Sequence, residues 1–72
     1  MNQTMDDLQS NIQRALMNDP RTKDYGVEVL DSNGIITLRG TVPSQAARDT
    51  IEEIVKGIHG VISVNNELDV VR

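Results

Sequence analysis

Val27-Glu28-Val29-Leu30-Asp31-Ser32-Asn33-Gly34-Ile35-Ile36-Thr37-Leu38-Arg39-Gly40-Thr41-Val42 is the stretch on which the fold turns. Val27 and Val29 alternate with Glu28 and Leu30, the period of a short strand. The segment Asp31-Ser32-Asn33-Gly34 follows as the connection. Asn-Gly between two alternating runs is the strongest short hairpin signal, because both residues tolerate positive φ. A second strand is expected over about Ile35 to Val42. Ile36, Leu38, Gly40 and Val42 share one face; Ile35, Thr37, Arg39 and Thr41 share the other. Gly40 brings no side chain to the buried face, so a helix is expected to pack close there.

The flanks supply the helices. Thr4 to about Asn18 reads as a helix, with Thr4 as N-cap and Asp6 and Asp7 in the first turn, where the helix dipole favours negative charge. Met5, Leu8, Ile12, Ala15 and Leu16 form one apolar stripe. Pro20 ends this helix, because the residue before a proline is pushed toward extended geometry. Asp19 to Tyr25 reads as a polar loop. Pro43-Ser44 stops the second strand and starts a second helix, with Ser44 as N-cap. Its stripe is Ala47, Ile51, Ile54, Val55 and Ile58, and Gly60 is expected to end it as a left-handed cap. Arg48–Glu52 and Glu52–Lys56 are i,i+4 pairs on its wet face. A third strand is expected from Val61 to Val71, with Ile62, Val64, Leu68 and Val70 facing inward. The order is αββαβ, an α+β fold: a three-stranded mixed sheet with both helices packed on one face. The crossover through the second helix makes the second and third strands parallel. Residues 4–71 are expected to form a single domain.

Composition limits what such a domain can do. The chain has 72 residues, no cysteine, and one aromatic side chain, Tyr25. The core must be aliphatic, and stacking on bases or sugars is nearly excluded. Thiolate chemistry is absent. Seven basic against eleven acidic residues give a net charge of −4, which argues against a nucleic-acid-backbone partner. No apolar run approaches the ~18–20 residues of a membrane span. The first residues show no secretion signal, so a cytoplasmic location is expected if the chain is complete, and periplasm or cell envelope if it is an excised or mature segment. So small a core is marginal, and stability below ~80 residues is often supplemented by a partner.

Val27-Glu28-Val29, then Asn33-Gly34-Ile35-Ile36-Thr37-Leu38-Arg39-Gly40-Thr41-Val42, resembles the BON domain, the bacterial osmotic-stress-protein and nodulation module. So does Gly60-Val61-Ile62-Ser63-Val64-Asn65-Asn66-Glu67-Leu68-Asp69-Val70, and Ala15-Leu16 with a following Asp19 matches too. The resemblance runs from about Asp7 to Val70. It implies an αββαβ fold and a non-enzymatic role. It implies binding of lipid, membrane surface or partner proteins, mostly in the bacterial envelope, often in pairs or beside other modules.

Each candidate site has a structural reading beside its functional one. Asn33 and Gly34 serve the turn, Gly40 close packing and Gly60 a helix cap. Asn66 falls on the buried parity of the third strand. Its amide must find partners, because an unsatisfied buried group costs about 1–3 kcal/mol; loop or helix-end backbone is expected to supply them. His59 stands alone, with no second histidine or cysteine to make a metal site or catalytic set. It is expected at the end of the second helix. Gly57-Ile58-His59-Gly60 has the spacing of a nucleic-acid clamp, but it joins a helix to a strand and only Lys56 accompanies it. Asp31-Ser32-Asn33-Gly34 lacks the spacing of a calcium loop, and Val42 stands where the twelfth-position Glu would be. The carboxylate pairs Asp6-Asp7 and Glu52-Glu53 diverge by ~100° on a helix, so neither is an acid–base dyad. No cofactor is expected.

The uncovered sheet face is the more informative surface. Glu28, Leu30, Ile35, Thr37, Arg39, Thr41, Ser63, Asn65 and Glu67 are expected to line it. A solvated polar face is the plain reading; docking of a protein partner or a second copy, giving a homo-oligomer, is the functional one. The first and third strands are also edges open to strand addition. Direct lipid binding finds little support in the residues, since the seven basic side chains are scattered and no helix has an aromatic anchor. The resemblance favours it, and phospholipid binding stands as the alternative. A small-ligand or ion sensor is a third reading, and no catalytic constellation is legible.

Overall fold

The computed structural model describes residues 8–71. The expected Thr4 cap, Met5, and the Asp6 and Asp7 positions lie outside that span. The elements are α1 (Leu8–Asn18), β1 (Glu28–Ser32), β2 (Ile35–Val42), α2 (Gln45–Lys56) and β3 (Ser63–Val70). The fold is α+β in the order αββαβ.

The hairpin rests on a turn that is wholly local. Asn33 has φ 55° and Gly34 φ 90°, the two left-handed positions that a two-residue loop demands. The Asp31 carboxylate accepts the Gly34 N–H at 2.9 Å. Ser32 pairs with Ile35 directly across the turn. Asp31 and Ser32 therefore belong to β1, not to a four-residue connection, and Val27 precedes the strand. β2 lies in the middle, antiparallel to β1 and parallel to β3.

Both helices cover one sheet face. Ile12 and Leu16 of α1 and Ala47, Ile51 and Val55 of α2 join Val29, Ile36, Leu38, Val42 and Leu68 of the sheet in one buried aliphatic cluster. The parity read from the sequence holds along β2, where Ile36, Leu38 and Val42 are buried. Ser44 caps α2: its backbone is extended and its Oγ accepts the Ala47 N–H at 3.1 Å.

Several expectations need correction. Gly40 does not make room for a helix. At its φ of 144°, a Cβ would sit 2.7 Å from the Gly26 carbonyl oxygen, so the close neighbour is the chain entering β1. Gly60 does not cap α2. The helix gives way at Gly57, whose N–H reaches both the Glu53 and Ile54 carbonyls. Bonds from Ile58 to Val55 and from Val61 to Ile58 then tighten the chain into turns. Gly60, at φ 103°, closes the last of these turns. His59 thus sits in this connection, exposed, and not at the helix end.

Ile62 is 76% exposed and does not face inward. The N–H groups of Ile62 and Ser63 both bond the Gly34 carbonyl, at 2.8 and 3.3 Å. In an extended strand successive N–H groups point to opposite sides. Two on one acceptor mean a local kink, and the kink throws Ile62 off the buried parity. Finally, the 19–25 loop is docked and not merely polar. Thr22 is buried and its hydroxyl donates to the Leu16 carbonyl at 2.7 Å. The Asp19 carboxylate takes the Arg21 backbone N–H at 2.8 Å and its guanidinium at 2.8 and 3.0 Å.

Candidate functional site

The face opposite the helices is laid out by the strand registers as a set of rows. Ser32, Ile35 and Ser63 align next to the hairpin turn, and Leu30, Thr37 and Asn65 align behind them. Glu28, Arg39 and Glu67 form the next row, and Thr41 pairs with Asp69 beyond it. All nine residues named from the sequence stand on this face. Ser32 and Asp69 complete it. Ser32 reads as part of the connection in the sequence, and its place is visible only once the loop is known to be two residues long. Asp69 already has the right alternation.

The rows differ in chemistry. At the hairpin end Leu30 and Ile35 are 39% and 49% exposed, large values for aliphatic side chains. At the other end Arg39 Nε donates to Glu67 Oε1 at 3.1 Å, and Asn65 Nδ2 donates to Glu67 Oε2 at 3.2 Å. Glu28 is opposite Arg39 on the other side. One cation is thus flanked by two carboxylates. Both members of the Arg39–Glu67 pair are about half exposed, and an exposed pair contributes at most about 1 kcal/mol. Its value is orientation: it fixes the pattern of charge beside the apolar end.

A second polar group lies at the outer edge of β3. Asn66 is half-buried and satisfied. Its Oδ1 accepts the Leu68 N–H at 3.1 Å and its Nδ2 donates to Glu52 Oε1 at 2.9 Å. The partners are a strand amide and a helix carboxylate, where helix-end or loop backbone was expected. Glu52 also pairs with Lys56 at 2.8 Å, as its spacing suggested. The Lys56 ammonium, and then the Asn66 amide, hold the Glu52 carboxyl below its ordinary range; Glu52 in turn raises Lys56. Arg48 departs from expectation in part: its charge still helps to lower the Glu52 carboxyl, but its hydrogen bonds go elsewhere. It leaves the wet face and donates Nε to the Leu68 carbonyl at 3.1 Å and Nη2 to the Asn66 carbonyl at 3.2 Å. No local spacing rule could have found this contact, which joins the first turn of α2 to the middle of β3.

Among the described residues, no group of three His, Asp or Glu side chains converges as a metal site would require. No described helix is long and apolar enough to cross a membrane.

A family model described as the BON domain matches residues 4–72. Osmotically-inducible protein Y of Escherichia coli is 41% identical over 59 residues, which is 82% of this chain and 29% of that protein. The outer membrane lipoprotein DolP of Haemophilus influenzae is 36% identical over 64 residues, 88% of this chain and 33% of that protein. The chain spans about a third of the length of the curated relatives it matches.

Proposed function

The chain belongs to the BON domain family, and on that basis we propose that it is a non-enzymatic binding module whose open sheet face docks a second copy of the fold. The observation that carries this is the face itself: Leu30 and Ile35 stay exposed at one end while Arg39 is framed by Glu28 and Glu67 at the other. A two-fold arrangement brings like patches together. Apolar ends then meet, and each Arg39 finds carboxylates on both copies.

Magnitudes set the strength. Three strands at ~4.8 Å spacing and ~3.3 Å per residue along the eight residues of β2 give a projected patch of roughly 14 by 26 Å, on the order of 400 Å². A stable pair buries about 800 Å² on each side. The net charge of −4 adds mutual repulsion. Docking of free copies is therefore weak, and it becomes substantial only when the copies are tethered at effective concentrations near millimolar. An envelope location is part of the same proposal, supported by the relative named as an outer membrane lipoprotein.

Sedimentation over rising concentration tests the reading. Weak association is expected for the wild type, reduced at least tenfold by Leu30→Glu or Ile35→Glu. A strict monomer up to millimolar concentration would overturn it. Flotation with anionic phospholipid vesicles at low salt is the companion measurement. Vesicle binding that survives both substitutions would favour the phospholipid reading instead.

A further inference from the structure

The free edge of β3 has a regular pattern of outward groups. Ser63 sends its N–H to Gly34 and Val71 sends its N–H to Val42, so odd-numbered residues face β2. Alternate residues of a strand bond to opposite sides. Val64, Asn66, Leu68 and Val70 therefore turn their amides and carbonyls to the outside, as a template for another strand.

The middle of that template is already occupied. Arg48, projecting from α2, donates to the carbonyls of Asn66 and Leu68 at 3.2 and 3.1 Å. The Leu68 N–H is taken by the Asn66 side chain at 3.1 Å. Asn66 is itself held by Glu52, and Glu52 by Lys56. The opposite edge is treated in the same manner. Ser32 and Ile35 flank a two-residue loop as a bonded pair, so Val29 and Asp31 turn their backbone N–H and C=O groups to the free edge of β1. The Asp31 N–H is met by Gln9 Oε1 of α1 at 3.3 Å.

We infer that Arg48 and the Asn66 side chain together seal the β3 edge, Arg48 on its carbonyls and Asn66 on the Leu68 N–H, and that without the Arg48 guanidinium this strand pairs with β3 of a second copy. β3 is the strand concerned because it offers four outward residues where β1 offers two. Its even-numbered side chains stay beneath the helices, so pairing needs no rearrangement of the core. The seal concerns the edge alone and is separable from docking through the face.

The test uses sedimentation in an Ile35→Glu background, which removes face docking. Arg48→Ala is expected to raise self-association at least tenfold. Adding Val64→Pro should return it to the background value, because that proline removes one outward N–H and none directed at β2. No increase on Arg48→Ala, or an increase that Val64→Pro leaves intact, would overturn the inference. Amide exchange on the wild type tests the seal without requiring any variant to fold. The Leu68 amide should exchange at least tenfold more slowly than the Val64 amide, though both face outward. Equal rates would overturn the seal.

Discussion

A methyl group at position 40 would arrive 2.7 Å from the Gly26 carbonyl oxygen, on a backbone whose φ of 144° other residues rarely adopt. Nothing flexible can yield there. Gly40→Ala is expected to cost about 1–3 kcal/mol from the backbone conformation, and more from the contact. Gly26→Ala meets nothing within 4 Å and should stay within about 0.5 kcal/mol of the wild type. Urea unfolding of both variants checks the contrast. The sequence shows that residue 40 needs space but not which neighbour takes it, because Gly26 and Gly40 meet only when the hairpin closes. Asp19 is a second case. The Arg21 guanidinium and backbone N–H hold its carboxyl down to about 2. In the folded state it binds fewer protons than in the unfolded chain between about pH 4 and pH 2, so stability rises with pH across that window. The contribution is present above about pH 4 and lost as pH falls through about 2. Asp19→Asn should flatten the slope of stability with pH there. In a carbon-detected titration, Arg21→Ala should return the Asp19 midpoint toward the ordinary carboxylate value; an unmoved midpoint would refute the pairing.

Elements are legible to the extent that their signals are local. The Asn33-Gly34 turn and the Ser44 cap each rest on residues within a few positions of one another, and both stand where the sequence puts them. Ser44→Ala removes the acceptor of the Ala47 N–H and should cost about 1 kcal/mol, with Ser44→Asp close to neutral. Thermal unfolding followed by circular dichroism decides between them; equal losses would mean that the cap contributes nothing through its oxygen. The end of α2 and the role of Arg48 are not legible in the same way. Gly60 has the look of a helix cap because glycine after an apolar stripe usually is one. Its actual surroundings include Leu8, from the other end of the chain, 3.5 Å from where a Cβ would lie. Arg48 has the look of a partner of Glu52 because four-residue spacing is the only proximity a helix displays in one dimension. The guanidinium instead reaches the outward carbonyls of Asn66 and Leu68, whose lone pairs are turned away from the sheet. A side chain read as helix decoration is thus a link between α2 and β3.

For the molecule as a whole, topology and core are legible because alternation along β2 separates two surfaces at single-residue resolution. Ile35 is 49% exposed while Ile36, its neighbour, is fully buried. The docked 19–25 loop and the edge seals are hidden, because they join segments through single polar side chains that carry no periodic signal. The same parity yields the sharpest test of the proposed face. A chain of 72 residues has a total stability of roughly 4–11 kcal/mol. Ile36→Ala should cost about 2–5 kcal/mol and bring the protein near its unfolding threshold. Ile35→Ala should change stability by less than about 0.5 kcal/mol, yet lower self-association in keeping with the exposed apolar area it removes. Urea unfolding and sedimentation on the two variants separate stability from docking. If Ile35→Ala destabilises the monomer as much as Ile36→Ala does, the face is part of a core and not a surface for recognition. If it alters neither property, Ile35 is ordinary solvated surface, and docking must be sought elsewhere on the molecule.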